Sequence, residues 1–230
     1  MYILEGNMGV GKTTFLKLLS QKYPHIHTHR EPEENWTSSS TGKSLLESYF
    51  QNPRRWAYTV ETFITACRVK EHLHLQQNTN PYFIVERSLY AGYYCFAQLE
   101  KEEALFTPAE WKLYNQWVDF LIADKCKPPR GFIYLQATPE ICYTRVKKRN
   151  RKSERHTPFS FIEKLHTLHE RFLITEKNTL KHVKNIPVLV LDANKDFCLN
   201  SEIFDQHAQK IDAFITQIQS RVCTQNSALL

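Results

Sequence analysis

The chain has 230 residues, 42% of them hydrophobic and 13% aromatic, which is enough to bury a sizeable core. Its net charge of +6 does not by itself require a nucleic-acid partner, and no apolar run approaches the roughly 20 residues of a membrane span. Six cysteines are scattered without a C-x-x-C pair, so we expect reduced cysteines and a cytoplasmic protein. The first apolar run begins at residue 2, which leaves no room for a targeting segment in this sequence, while a longer mitochondrial precursor stays open.

Five short apolar runs predict β-strands. The runs YFIV, FIYL and VLVL are continuous rather than alternating, which is typical of strands covered on both faces. The predicted strands are Tyr2–Leu4, Ile26–His29, Tyr82–Val85, Phe132–Gln136 and Val188–Leu191.

Helical patterns lie between these strands. Pro53 fits the first turn of a long helix, and Thr107 and Thr138, each followed by proline, have the character of N-caps. Ser201 begins the last long helix, whose polar tail at residues 224–230 we expect to fray. The pattern predicts one α/β domain over residues 1–223, with a five-stranded parallel sheet flanked by helices on both faces and ligands at the carboxyl ends of the strands.

The residues after the first strand read GNMGVGKT and fit the pattern G-x-x-x-x-G-K-T. Glycines allow positive φ, so successive N–H groups can point at phosphate oxygens. Lys12 would reach the β- and γ-phosphates of ATP, and the Thr13 hydroxyl would hold Mg²⁺. A chance match is disfavoured because a strand precedes the loop and a helical pattern follows it. The predicted ATP-binding residues of the loop are Gly6, Asn7, Met8, Gly9, Val10, Gly11, Lys12, Thr13 and Thr14.

Charged residues also follow other strands. The second strand is followed by REP and then by Trp36, and the third strand is followed by ERS. The fifth strand ends in LDANKDF. With GNMGVGKTT, NPRRWA, RVKKRNRKSE and KLHTLHERFL, these motifs resemble the deoxynucleoside kinases of the deoxycytidine, deoxyguanosine and insect multisubstrate types, from residue 2 to about Phe197. The resemblance implies a P-loop kinase fold with a basic lid at about residues 145–157, transfer of the γ-phosphate of Mg-ATP to the 5′-hydroxyl of a deoxynucleoside, and a homodimer.

The resemblance implies roles for the residues at the strand ends. Glu31 matches the general base for the 5′-hydroxyl, although an ordinary surface acid is the alternative. Glu86 would lie near Thr13 and the metal, and it is a second candidate for the base. Arg87 would hold the 5′-oxygen and pair with Glu31, keeping it ionised. The predicted catalytic residues are therefore Glu31, Glu86, Arg87 and Lys12, and the predicted metal ligands are Thr13 and Glu86.

Seven basic residues lie between Arg145 and Arg155. The resemblance implies a lid whose residues Arg145, Arg149 and Arg151 bind ATP and clamp the transferring phosphate, because charge spreads over the phosphoryl oxygens in the transition state. A solvated helix face and a nucleic-acid patch are the alternatives, and the P-loop favours the lid. Glu154 matches a contact to the sugar 3′-hydroxyl. The ATP adenine is expected near Asp192 and Asn194, where a simple helix-entry turn is the alternative.

The nucleoside pocket departs from the family pattern. Trp36 and Phe96 match aromatics that pack against the base. Tyr49 is assigned to the same pocket, and Phe50 replaces a tyrosine that helps to bind the 3′-hydroxyl. Glu61 stands where the family has a glutamine, and an ionised carboxylate only accepts hydrogen bonds. Guanine offers the two donors N1–H and N2–H, so Glu61 favours a purine, guanine first, whereas a protonated Glu61 would restore a pyrimidine reading.

Arg68 lies two helical turns beyond Glu61 on the same face. It matches an arginine of the deoxycytidine and deoxyguanosine kinases, but their partner aspartate is replaced here by Gly92. We therefore expect Arg68 to pair with Glu61, or to donate to a base carbonyl such as guanine O6.

The sequence predicts a deoxynucleoside kinase of nucleotide salvage, with a deoxynucleoside and ATP as ligands, Mg²⁺ as cofactor, and no membrane or nucleic-acid partner. A deoxynucleoside triphosphate could occupy both subsites and inhibit by feedback. The alternatives are a nucleoside monophosphate kinase of the thymidylate type, a non-catalytic nucleotide-binding subunit on the same fold, and a nucleic-acid-binding ATPase. The first needs an extra arginine for its acceptor phosphate, and the intact Lys12, Thr13, Glu31 and Arg87 disfavour the second.

Overall fold

The structure is a computed structural model that describes residues 1–32, 44–151, 154–155 and 157–227. Its strands form one sheet in the order β2-β3-β1-β4-β5, and all four pairings are parallel. The strands are β1 (Tyr2–Glu5), β2 (His27–His29), β3 (Phe83–Glu86), β4 (Phe132–Gln136) and β5 (Val188–Asp192). The predicted parallel sheet is confirmed, with each strand end within one residue of its expected position.

Helices surround this sheet. In the described part of the chain, no helix has an apolar stretch long enough to span a bilayer. Two helices contain a π-helical segment: α4 consists of Leu89–Ala91, the π segment Gly92–Ala97 and Gln98–Glu102, and α7 (Phe159–Glu170) continues as the π segment Arg171–Thr175. The others are α1 (Lys12–Lys22), α2 (Leu45–Gln51), α3 (Pro53–Leu75), α5 (Pro108–Lys125), α6 (Pro139–Arg149) and α8 (Ser201–Ser227).

The predicted helix starts are confirmed. Pro53 lies in the first turn of α3, and Thr107 forms a capping box with Glu110 at the start of α5. The Thr138 side chain caps α6 by accepting a hydrogen bond from the N–H of Ile141. The last helix begins at Ser201 and extends to residue 227. Fraying of residues 224–230 and the domain limits of 1–223 stay predictions.

The inner strands β1, β3 and β4 are buried on both faces, which explains the continuous apolar runs YFIV and FIYL, whereas the edge strands β2 and β5 are partly exposed. In β1, Ile3 packs into the cluster formed with α3, α4, α5 and α7, whereas Tyr2 and Leu4 pack on the opposite face with α1, α6 and α8. The strand β4 alternates in the same way, with Tyr134 on the first face and Ile133 on the second. These inner strands therefore need apolar side chains in both directions.

The strand order determines where the polar residues meet. Since β2, β3 and β1 are neighbours and parallel, their carboxyl ends lie along one edge of the sheet. Glu31 follows β2, Glu86 ends β3, and the glycine-rich loop follows β1. Residues far apart in sequence are thus brought together at the carboxyl edge.

Candidate active site

The glycine-rich loop requires glycine at two positions. Gly9 and Gly11 have φ of 80° and 105°, a region that L-residues rarely adopt. A Cβ on Gly9 would also lie 2.4 Å from the carbonyl oxygen of Cys142 in α6. Lys12 Nζ donates to the carbonyls of Gly6 at 2.9 Å and Asn7 at 3.0 Å, so the loop holds its own ammonium group.

The ammonium group of Lys12 is buried, and this burial lowers its pKa to about 8, helped by the positive charge of Arg87. The carboxylates of Glu86, Glu31 and Glu5 act in the opposite direction. Lys12 is therefore mostly protonated at neutral pH and loses its charge within the mildly alkaline range.

The two predicted metal ligands lie side by side. Thr13 Oγ1 donates to Glu86 Oε1 at 2.7 Å, and burial raises the pKa of Glu86 while the charge of Lys12 opposes this. Mg²⁺ is usually held by one or two protein oxygens together with phosphate oxygens and water. Thr13 and Glu86 fit that donor set. Within the described residues, no group of three or more His, Cys, Asp or Glu side chains is arranged to hold an ion without such help.

Glu31 lies between two arginines. Arg68 binds Glu31 Oε1 through Nη2 at 2.7 Å and through Nε at 3.1 Å, and Arg87 Nε lies 3.2 Å from Oε2. Burial alone would raise the pKa of Glu31, but the two guanidinium groups outweigh it and lower the pKa below its ordinary value. The predicted Arg87–Glu31 pair is present, and the lowered pKa favours the ionised form of Glu31.

The expected pairing of Arg68 with Glu61 is wrong, because Arg68 binds Glu31. A Cβ on Gly92 would lie 2.8 Å from Arg68 Nη1, so the glycine leaves room for the guanidinium group. The ring of Phe96 packs against both arginines, with its centroid 5.6 Å from Arg68 Cζ and 4.9 Å from Arg87 Cζ. Losing the family's aspartate therefore frees space that directs Arg68 towards β2.

Gly92→Ala tests this arrangement. The new methyl group should displace the end of the Arg68 side chain and disturb its hydrogen bonds to the buried Glu31 carboxylate, so we expect the unfolding free energy to fall by about 1–3 kcal/mol. Glu31 would then lose a charged partner, which should lower kcat/KM for a nucleoside about 10-fold. Steady-state kinetics and a thermal melt measure the two effects. An unchanged kcat/KM would contradict a need for Arg68 at this place.

A cavity of about 300 Å³ extends from the glycine-rich loop to α2, α3 and α4. Trp36 lies outside the described residues. Gly92 does not line the cavity, although the guanidinium group beside it does. The other predicted substrate-binding residues line it: Glu31, Tyr49, Phe50, Glu61, Arg68, Arg87, Phe96 and Glu154.

Glu61 is buried in this cavity wall. Its Oε2 atom has no hydrogen-bond partner among the described residues. Burial raises the pKa of Glu61 to about 7, against the opposing charges of Arg68 and Arg87. Glu61 is thus poised between the ionised and the protonated form at neutral pH.

Sequence reasoning missed Glu100, a second buried acid in the same wall. The hydroxyl of Tyr49 is hydrogen-bonded to its carboxyl group, while Glu100 Oε2 has no partner among the described residues. Burial raises the pKa of Glu100 well above its ordinary value, and the nearby Glu61 adds to this effect. The available signal was its spacing, because Glu100 follows Phe96 by four residues along a helix.

The predicted lid residues lie at two different sites, one in the cavity wall and one behind the glycine-rich loop. Arg149 Nη2 lies 2.5 Å from Glu154 Oε2, Arg151 Nη1 lies 3.6 Å from Glu154 Oε1, and all three residues line the cavity. Arg145 does not line it. Its Nη1 donates to the carbonyls of Val10 at 3.1 Å and Ala193 at 2.9 Å, joining the glycine-rich loop to the loop after β5.

A second cavity of about 340 Å³ lies between the glycine-rich loop, α6 and residues 196–198. Arg145 and Phe197 line it, but Asp192 and Asn194 line neither cavity. Asp192 Oδ1 accepts from Asn194 N at 2.9 Å, and Asn194 Oδ1 accepts from the N–H of Thr138 at 2.9 Å. The side chains of Asp192 and Asn194 thus stabilise the turn after β5 and join it to the start of α6, and the expected adenine contact stays a prediction.

A phosphate-binding loop at the carboxyl edge of a parallel sheet, open towards a cavity that contains an ionised acid between two arginines, defines a P-loop phosphotransferase. The family model described as deoxynucleoside kinase matches residues 2–216. The chain therefore belongs to the deoxynucleoside kinase family, as its motifs predicted.

Individual relatives agree with this assignment. The chain is 36% identical to a mitochondrial deoxyguanosine kinase of Xenopus laevis, over 92% of this chain and 88% of that one. It is 32% identical to deoxycytidine kinase 2 of Gallus gallus, over 93% and 89% of the two chains. The deoxycytidine kinase of Homo sapiens is 29% identical, over 94% and 90%. The similarity thus covers nearly the whole length of each protein.

Proposed function

We propose that this kinase transfers the γ-phosphate of ATP to the 5′-hydroxyl of a deoxynucleoside, with guanine as the preferred base. The observation that carries the proposal is the position of Glu31. It is held ionised by Arg68 and Arg87 in the wall of the cavity that also contains Lys12 of the phosphate-binding loop. A nucleoside seated in that cavity brings its 5′-oxygen between an acceptor carboxylate and the phosphate of ATP.

In this mechanism the 5′-oxygen attacks the γ-phosphorus, the bond to the β-phosphate oxygen breaks, and Glu31 takes the hydroxyl proton. The low pKa of Glu31 makes it a weak base, which suits a loose transition state in which the proton leaves late. Its main task is to orient the hydroxyl by accepting a hydrogen bond. Glu86 is the weaker candidate for this role because it lies beside Thr13, where the two side chains would hold the metal.

Charge on the transferring phosphate is stabilised by Lys12, Arg87, Arg149 and Arg151. The loop N–H groups of residues 6–14 cradle the donor phosphates. Thr13 and Glu86 would hold Mg²⁺, which would supply positive charge to offset the negative charge of the donor phosphates. Arg149 and Arg151 exchange Glu154 for phosphate oxygens, which releases Glu154 for the sugar 3′-hydroxyl.

The alternative of a nucleoside monophosphate kinase fits less well. Its acceptor phosphate would lie against the buried carboxylate of Glu31, and both Arg68 and Arg87 already balance that carboxylate. A second anion there would be repelled.

The test is ADP release from Mg-ATP with purified protein, across natural nucleosides, their 5′-monophosphates, DNA and RNA. Turnover with deoxynucleosides and none with monophosphates is expected. Turnover with monophosphates alone would move the chain to the alternative enzyme, and stimulation by DNA or RNA would favour the nucleic-acid ATPase. ATP binding without turnover would favour the non-catalytic subunit. Omitting Mg²⁺ should abolish the reaction if the metal assignment is correct.

The preference for guanine is supported by Glu61 and by the similarity to a protein named deoxyguanosine kinase. Glu61→Gln restores the family's amide, which donates one bond and accepts another. We expect kcat/KM for deoxyguanosine to fall and that for deoxycytidine to rise, shifting their ratio about 10-fold or more, the effect of one charge-assisted hydrogen bond. An unmoved ranking would mean that Glu61 does not read the base.

We also propose a homodimer through α3 and α5. Leu113, Trp117 and Phe120 lie on one face of α5, and their side chains are 54%, 43% and 48% exposed. Phe63 of α3 is a further exposed aromatic residue. Apolar residues at this spacing form a stripe that is usually covered by a partner.

Trp117→Glu should weaken the dimer at least about 10-fold, as expected for a buried aromatic residue of an interface core. Light scattering after gel filtration over a concentration series measures the change. Leu199→Glu is the matched control, because Leu199 is 88% exposed and lies outside this stripe. A dimer that is equally stable in both variants would contradict the α5 interface.

We also propose feedback inhibition by a deoxynucleoside triphosphate. One cavity contains both Lys12 and Glu61, so a deoxynucleoside triphosphate can place its phosphates in the loop and its base at Glu61, which supports feedback inhibition.

We propose that the protein acts in the cytoplasm. The described cysteines are free, which supports a reducing compartment.

A further inference from the structure

We propose that Glu100 is a second base-reading residue, which donates a hydrogen bond to guanine O6 while Glu61 accepts from guanine N1–H and N2–H. This inference rests on the proposed function and adds a specificity residue to it. In the family pattern a single glutamine supplies both a donor and an acceptor. Here we divide the two tasks between two acids on different helices.

Glu61 on α3 and Glu100 on α4 line the same cavity, and both side chains are buried, with residue exposures of 4% and 5%. Each has an Oε2 atom without a hydrogen-bond partner among the described residues. A buried polar atom without a partner destabilises a protein, so two such atoms in one cavity wall point to a polar ligand.

The carboxyl group of Glu100 is oriented by a neighbouring side chain. The hydroxyl of Tyr49, itself buried on α2, is hydrogen-bonded to the Glu100 carboxyl group. This contact holds one side of the carboxyl group and leaves Oε2 for the ligand. Tyr49 thus supports Glu100 and is not itself expected to touch the base.

Glu61 and Glu100 have different charged neighbours. Arg68 and Arg87 favour the ionised form of Glu61, and Glu31 opposes them. For Glu100, burial and the nearby Glu61 raise the pKa well above its ordinary value, and the weaker effect of the Tyr49 phenol acts in the opposite direction. Glu61 therefore serves as the acceptor and Glu100, protonated, as the donor.

Only one natural base matches this pair in full. Guanine carries the acceptor O6 beside the donors N1–H and N2–H. Adenine and cytosine present an amino donor where Glu100 would donate and a ring acceptor where Glu61 would accept. Thymine matches at O4 and N3–H, but its O2 would face the second oxygen of Glu61. Arg68 is not needed as the O6 donor, since its Nε and Nη2 both bind Glu31.

The experiment compares deoxyguanosine with 2′-deoxy-6-thioguanosine, whose sulfur is a weak acceptor at the same position, at pH 7. In the parent enzyme we expect kcat/KM to favour deoxyguanosine about 10-fold. Glu100→Leu should reduce kcat/KM for deoxyguanosine about 10- to 100-fold and bring the ratio of the two substrates within about twofold. Glu100→Gln retains a donor and should retain most of the preference.

Thermal melts check that each variant folds, and Glu103→Leu is the matched control, because Glu103 lies at the end of the same helix with an exposed side chain. An equal loss for all nucleosides in Glu100→Leu, with the substrate ratio unchanged, would give Glu100 only a structural role and overturn the inference. Full activity in that variant would also overturn it. A parent enzyme that phosphorylates pyrimidine but not guanine nucleosides would overturn the inference while the kinase assignment stands. Absence of turnover with any nucleoside would count against the proposed function itself.

Discussion

Glu31→Gln is expected to lower kcat for deoxynucleoside phosphorylation about 10²- to 10⁴-fold, the range for loss of a positioned acid–base group. The glutamine keeps the shape of the side chain but removes the charge between Arg68 and Arg87. It can still accept one hydrogen bond, but it cannot take the 5′-hydroxyl proton. The effect should appear mainly in kcat, because ATP binds on the other side of the transferring phosphate.

The same substitution should reduce stability. Removing one partner of a buried ion pair typically costs about 3–5 kcal/mol, and two guanidinium groups lose their counter-charge here. The free energy of unfolding in urea should therefore fall. A bound nucleoside should not restore it, because the nucleoside carries no negative charge to replace that of Glu31. Glu71→Gln is the control, because Glu71 lies on α3 and pairs with His29 outside the catalytic cavity.

Glu86→Gln separates the two candidates for the general base. If Glu31 takes the proton, Glu86→Gln should act chiefly through the metal and raise the Mg²⁺ concentration needed for half-maximal rate. If kcat in Glu31→Gln stays within a few-fold of the parent while Glu86→Gln loses turnover at saturating Mg²⁺, then Glu86 is the base and our assignment is wrong.

The carboxyl edge of the sheet was predictable because its signals are local. Short strand-like runs, three of them continuously apolar, identified the five strands, and the parallel arrangement then required Glu31, Glu86 and the glycine-rich loop to meet. The N-caps at Thr107 and Thr138 were equally clear, since capping depends on residues within one turn.

The partners of buried charges were less predictable. Helical spacing placed Arg68 near Glu61, but Glu31 competes for the same guanidinium group from a different strand end, 37 residues away in sequence. Glu100 was missed because an acid in the stretch FAQLEKEEAL has the appearance of a solvated helix face. For Arg68 and Glu100, the contacts that define their surroundings come from distant elements of the chain.

Lys12→Met is expected to lower kcat/KM for ATP about 10²- to 10³-fold, the usual effect of removing one donor that stabilises the transition state. The methionine retains most of the aliphatic length but has no charge for the β- and γ-phosphates. The substitution removes a buried charge, which favours the folded state, but the carbonyls of Gly6 and Asn7 lose their donor, so we expect the melting temperature to stay nearly unchanged. Loss of activity without loss of stability would therefore identify a functional lysine.

The pH dependence provides an independent check on Lys12. Its pKa of about 8 in the free protein means that the charged form is lost as pH rises through 8. For the parent enzyme, kcat/KM for ATP reports groups of the free enzyme and should fall towards about tenfold per pH unit above 8. Lys12→Met should lack this alkaline limb, since no proton remains to be lost there. A parent profile that stays flat to pH 9, or a limb that persists in the variant, would mean that another group is responsible.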